Sequence, residues 1–180
     1  MDQETVEVEK KVVNRSLAEI AKEDYDLSMS PAHEVENAIC EEVIDSDMTE
    51  NFIDMTRKML RLIADIGANG LAAPQIGVKK RVFVYWDKRD NNPRVCYNPK
   101  YYKDTYSTQY IEKCLTYGQL NFLVKRYKAI QAVWYEWNPT AQEFTKRTKK
   151  LSGREAEIFQ HETDHLDGKT VATIGKLLDV

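Results

Sequence analysis

Long apolar runs, cysteine and net charge are all scarce in this chain, and each shortage removes a class of protein. No stretch approaches the roughly 20 consecutive apolar residues a spanning helix needs, and the N-terminal MDQETVEVEK is too charged for a secretory signal. The reading is an intracellular, cytoplasmic protein without a membrane partner. Three cysteines, Cys40, Cys96 and Cys114, form an odd and widely spaced set. That excludes a disulfide framework, suits a reducing compartment and leaves at least one thiol free. A net charge of −3 from 26 basic and 29 acidic residues gives no excess that would mark a dedicated nucleic-acid surface. Internal repeats and low-complexity tracts are also missing, so solenoid and linker architectures drop out.

What remains is a length of 180 residues with 42% hydrophobic content, enough for one good core but not for two independent ones. Residues 1–25 are charge-rich and read as an N-terminal extension or arm, with a single domain over 26–180. Within that domain Phe52, Ile53, Met55, Met59, Leu60, Ile63 and Ile66 recur at helical spacing. Asp47 or Thr49 can cap this amphipathic helix and Gly67 can stop it. The small residues of GANGLAAPQIG follow, then a strand over Arg81–Trp86, a turn in DKRDNNP and a return strand over Arg94–Tyr97 that Asn98-Pro99 should break. Aromatic and β-branched residues through Tyr101–Ile111, Phe122–Trp137 and around Phe144 predict further strands, with Asn138-Pro139 as a turn. After Ser152-Gly153 the pattern is helical again as far as Gly168. An early helix, many strands and a late helix make the expected fold α+β, with mostly antiparallel strands packed around the C-terminal helix.

The chemistry sits on that last helix. In His161-Glu162-Thr163-Asp164-His165 two imidazoles lie four residues apart, one turn from each other on one face, as a grip on a metal ion requires. Glu162 beside them can move a proton between water and a leaving nitrogen. A hydrolytic site of this kind needs a third protein ligand and an open position. Downstream only Asp167 and Asp179 are available, one crowding the motif and one almost at the terminus, which favours an upstream source. The thiol in Glu112-Lys113-Cys114-Leu115-Thr116 is such a source, although a lone cysteine is usually only a small hydrophobe. His33, in Ser-Pro-Ala-His, reads as part of a turn, and Cys40 and Cys96 as core thiols.

Three segments in order, Gly70-Leu71-Ala72-Ala73-Pro74-Gln75, Glu112-Lys113-Cys114-Leu115-Thr116 and Gln160-His161-Glu162-Thr163-Asp164-His165-Leu166-Asp167-Gly168, resemble the three motifs of the peptide deformylase family. The resemblance implies hydrolysis of the N-formyl group of a formylmethionyl peptide, releasing formate. It makes Cys114, His161 and His165 the ligands of one divalent metal, with Fe(II) as the native ion and zinc, nickel or cobalt accepted. Glu162 becomes the proton carrier, and the Gln75 side-chain amide with the Leu115 backbone N–H becomes the oxyanion hole. Asn69, Gly70, Tyr110, Glu112 and Ile158 are the implied substrate contacts, while Glu112 and Asp164 are expected to orient ligands or to be surface carboxylates. The implied partners are formylmethionyl peptides, with at most a transient ribosome contact, no direct nucleic-acid binding and a monomeric state.

The chain also departs from the family pattern. Ala68 stands where a glycine usually opens the first motif, followed by the polar Asn69; Lys113 replaces a glycine; Gly118-Gln119 replaces Pro-Gly; and Asn121 aligns with an arginine often found near substrate. Arg154 and Glu157 occupy positions that usually add apolar groups to the methionine pocket, and the two charges could instead pair and swing away from it. Only 15 residues follow His165, so the expectation is a compact form without the C-terminal helix of many bacterial members, as in some phage; the host is then bacterial, phage-infected or organellar. Two other functions compete: a small zincin-like metallopeptidase cutting internal bonds, and a non-catalytic metal-binding relative of the family.

Overall fold

The amphipathic segment forms the first long helix because both of its ends are satisfied. Residues 15–87, 91–104 and 106–178 are described by this structure, a computed structural model. The Thr49 hydroxyl accepts from Phe52 N and opens the helix Glu50–Asp65, while Gly67 closes it at φ 68°. Taking the helices in chain order, this is α3, preceded by α1 (Leu17–Tyr25) and the single-turn α2 (Ala32–Val35), and followed by α4 (Gly153–Leu166) and α5 (Val171–Ile174). A capping box between Ser16 and Glu19 starts α1. Its Ala21 packs in the same apolar cluster as Met59, Leu62 and Ile63 of α3. Most of the arm expected over residues 1–25 lies outside the described residues. His33 sits within α2, and Cys40 and Cys96 are buried.

The strands are β1 (Gly70–Ala72), β2 (Val82–Asp87), β3 (Asn92–Lys103), β4 (Ser107–Glu112), β5 (Phe122–Tyr127), β6 (Ala129–Asn138), β7 (Glu143–Ser152) and β8 (Lys176–Leu177). They form an antiparallel five-stranded sheet in the order β1-β2-β3-β6-β7 and an antiparallel three-stranded sheet in the order β4-β5-β8. Alternation along β2 divides the core. Phe83 and Tyr85 meet Phe159 of α4 on one face of the large sheet, and Val84 joins Met59, Leu62 and Ile63 of α3 on the other. The fold is therefore the expected α+β, with α4 packed against strands of both sheets.

Three sequence expectations give way to the structure. Asn98-Pro99 does not end its strand: β3 runs on to Lys103 through a bulge, since Tyr97 pairs with Tyr135 but Lys100 pairs with Val133. Asn98 enters the left-handed region at φ 49°, and its side chain accepts from Val43 N at 2.7 Å and donates to Val43 O at 2.8 Å. The bulge absorbs the missing N–H of Pro99. The run Tyr101–Ile111 is not one strand, and neither is Phe122–Trp137. Each is divided where the chain crosses between sheets, after Lys103 and at Lys128, and the crossings are tied by Asp104 N to Ala129 O at 3.3 Å and Lys128 N to Tyr106 O at 3.2 Å. Strand-favouring residues flank both crossings closely, so residue preference alone does not show them.

The bulge offers a test of the fold. Asn98→Ala removes both bonds to the Val43 backbone and places a Cβ residue without a helpful side chain in the left-handed region, which should cost about 2–4 kcal/mol. Urea unfolding measures this, and a midpoint equal to that of the unsubstituted protein would show the bulge to be held by something else.

Candidate metal centre and its cleft

Gln160 docks α4 where the two sheets part. Its side-chain carbonyl accepts from Tyr127 N and its amide donates to Tyr127 O, both at 2.9 Å, so it pairs with the end of β5 as another strand would. One residue later the helix presents His161, then Glu162, and one turn on His165, both of the last two buried. The strap between β4 and β5 brings Cys114 opposite them. Candidate ligand atoms of Cys114, His161 and His165 all lie within 4.8 Å of one another, and Cys114 Sγ is 3.4 Å from His165 Nε2.

This donor set fits a metal ion. A tetrahedral ion with the usual bonds to thiolate and imidazole holds its S and N ligands about 3.5 Å apart, close to the observed spacing. His161 Nδ1 lies 2.8 Å from Glu112 Oε2, which orients the ring and leaves Nε2 for the cluster. Burial opposes ionisation of Cys114, but the His165 and His161 imidazoles outweigh it and hold the thiol well below its ordinary range. For His161 burial works against protonation, and the hydrogen bonds to Cys114 and Glu112 raise it well above the ordinary value. The cluster is thus a thiolate surrounded by groups that favour positive charge, the environment a divalent cation would complete.

Behind the ligands lies a network that sequence reasoning only half found. Arg126, buried on β5, donates from Nε to Glu112 Oε1 at 2.8 Å and from Nη2 to Glu112 Oε2 at 3.0 Å, while its Nη1 bonds Asp164 on α4. Burial alone would raise the Glu112 carboxyl, but bonds from His161 and Arg126 and the guanidinium charge bring it down to about 2. Glu112 and Asp164 are therefore buried partners of one arginine, not surface groups. Arg126 itself left a trace in the sequence: it continues the inward phase of Phe122 and Val124, a cation where the alternation calls for an apolar residue.

Gln75 arrives on a buried 3-10 turn after β1. Its carbonyl accepts from Ala72 N at 2.9 Å, which aims its amide at Thr116 Oγ1, 3.1 Å away, and at Cys114 Sγ, 3.6 Å away. Leu115 opens a 3-10 turn, so its N–H lies ahead of the turn's own bonding. Glu162 is buried, burial drives its carboxyl up to about 7, and its Oε2 has no hydrogen-bond partner among the described residues. A Cβ built on Gly70 would lie 2.5 Å from Glu162 Oε1, so this carboxylate rests against a glycine that nothing larger could replace without moving it.

These groups border a cleft of about 450 Å³. Of the expected substrate contacts, Asn69, Gly70, Glu112 and Ile158 line it. Tyr110 is not among the lining residues, whereas Ile111 and Glu112 after it are, where β4 ends and the strap to Cys114 begins. Ala68, Lys113, Gln119 and Asn121, the positions that depart from the family pattern, also face the cleft. Arg154 and Glu157 do form an ion pair, but they remain in the cleft wall and do not swing away from it.

Comparison with known proteins agrees with this geometry. The model of the polypeptide deformylase family matches residues 29–175. The peptide deformylase of Borreliella burgdorferi is 33% identical over 116 residues, which cover 64% of this chain and 67% of that protein. That of Thermotoga maritima is 31% identical over 120 residues, covering 66% and 69%. The crystal structure of peptide deformylase from Thermotoga maritima superposes with a TM-score of 0.69 at 27% identity, over 82% of this chain and 96% of that one. A Synechococcus elongatus peptide deformylase in complex with actinonin gives 0.71 at 24% identity over 82% and 78%, a likeness of fold. With the thiol and the two imidazoles within 4.8 Å of one another, Glu162 beside His161 on the cleft and the family match running through all of them, this chain belongs to the polypeptide deformylase family.

Proposed function

We propose that this chain hydrolyses the N-formyl group from the formylmethionine of nascent or free peptides, releasing formate and a free amino terminus. The observation that carries the reading is Glu162: a buried carboxyl, raised to about 7, with one oxygen unpartnered, one residue from a candidate ligand and facing the cleft. A carboxyl poised near neutrality can both accept and return a proton at working pH.

Cys114, His161 and His165 would hold one divalent ion, and when bound it supplies a Lewis acid and lowers the pKa of water. One thiolate and two imidazoles suit several late first-row ions, and the family resemblance favours Fe(II) as the native one. The protein's own part follows from the geometry. Glu162 takes a proton from the attacking water and delivers it to the amide nitrogen as the C–N bond breaks, so the leaving group departs as a neutral amine. Gln75, its carbonyl fixed by Ala72 N, keeps its amide donors toward the reacting carbonyl, and the Leu115 N–H supports the same oxygen. Glu112 and Arg126 hold the His161 ring and are positioning residues. We place the catalytic unit in residues 26–180 and its action in the cytoplasm, as a monomer. In the described residues no helix is long and apolar enough to cross a membrane.

Three outcomes are expected. Glu162→Ala should keep its metal content but lose formate release from formyl-Met-Ala-Ser by about 10²–10⁴-fold; internal peptide fragments without formate would instead identify an endopeptidase. Gly70→Ala pushes the Glu162 carboxylate out of place and should lower kcat with metal content unchanged, so wild-type kcat in this variant would contradict the assigned role. Arg126→Met strands two buried carboxylates and should cost about 3–5 kcal/mol in denaturant unfolding; a loss below 1 kcal/mol, on the order of an exposed ion pair, would show the network to be dispensable.

A further inference from the structure

We infer that Arg154 and Glu157 are specificity-determining residues that favour, among formyl peptides, those whose first side chain is unbranched and carries a hydrogen-bond acceptor near its end. The inference rests on the deformylase reading and names the substrate class of the same cleft.

The stripe of α4 that faces the cleft is Arg154, Glu157, Ile158, His161 and Glu162, at the spacing of one helical face. At a rise of 1.5 Å per residue, Glu157 lies about 6 Å and Arg154 about 10 Å before His161 along the helix axis. A substrate amide held at Glu162 therefore directs a side chain of three or four heavy atoms along this wall toward the ion pair. Helical side chains lean toward the N-terminus, so Glu157 meets Arg154 one turn back, and both line the cleft wall.

The two members differ in what they have left to give. Glu157 is buried, and burial raises its carboxyl despite the Arg154 bond. Its Oε1 accepts from the arginine. Arg154 keeps 56% of its side chain exposed and engages Glu157 through Nη1 alone, with five N–H donors in its fork. Its remaining donors call for an acceptor. An aliphatic side chain laid against the pair would desolvate it and return nothing, whereas a carboxamide or sulfoxide oxygen replaces the water it displaces. The methionine thioether is a weak acceptor and falls between these cases. The class thus contains glutamine and methionine sulfoxide, which match methionine in length, and disfavours norleucine, which matches it in shape.

The test compares formyl-Xaa-Ala-Ser peptides with Xaa as methionine sulfoxide, glutamine, methionine and norleucine, in the wild-type holoenzyme and in Arg154→Leu. Formate release gives kcat/KM, and titration calorimetry gives the binding of the deformylated Xaa-Ala-Ser products. The expected glutamine-to-norleucine ratio in the wild type is about tenfold or more in both readouts, the size of one charge-assisted hydrogen bond, and it should collapse in Arg154→Leu. A ratio at or below one in the wild type, or a ratio that Arg154→Leu leaves unchanged, overturns the inference while formate release keeps the deformylase reading intact. Absence of formate from every peptide overturns that reading, and the calorimetric ratio then decides the pocket by itself.

Discussion

A single buried arginine joins the small sheet to the helix that carries the candidate metal ligands. Arg126 spends its guanidinium on Glu112 of β4 and Asp164 of α4, and Glu112 passes the constraint on to the His161 ring. Such a network is poor evidence of net stability, because removing charges from water offsets much of their attraction. Its value is geometric. A carboxylate displaced from Arg126 would be left charged and buried without its partner, so the small sheet, the helix and the imidazole are held to one mutual arrangement. Gln160 adds a second tie at the same place through the Tyr127 backbone.

On the opposite side of the site the constraint is steric. β1 comes so close to α4 at Gly70 that only the absence of a Cβ leaves room for the Glu162 carboxylate. The same closeness buries that carboxyl, raises it, and leaves it without a protein partner among the described residues. The close packing at Gly70 and the raised Glu162 carboxyl therefore have one cause.

The wall beyond the base is where this chain differs from its relatives' pattern. Lys113, Gln119, Asn121 and the Arg154–Glu157 pair make the cleft more polar than an apolar side-chain pocket, without disturbing the ligands one and two turns further along the helix. A helix permits that independence, since residues on one face contact different partners at each turn. The metal grip and the side-chain wall can vary separately while sharing one scaffold.

The elements and the candidate site residues were legible in the sequence because each is a local pattern. Helical spacing marked α3, the pair of histidines one turn apart marked α4, and three short motifs pointed to Cys114, His161, His165, Glu162 and Gln75, which the fold brings close together. What the sequence could not determine was everything that depends on residues distant in the chain. The crossings after Lys103 and at Lys128 lie within strand-favouring stretches, and the Asn98 bulge is held by Val43, 55 residues away. Burial of Arg126 needed both carboxylates to be brought to it, and the choice of Ile111 over Tyr110 for the cleft was made by the way the small sheet presents β4. Local periodicity records which residues can share a face; only the packed structure decides what that face meets.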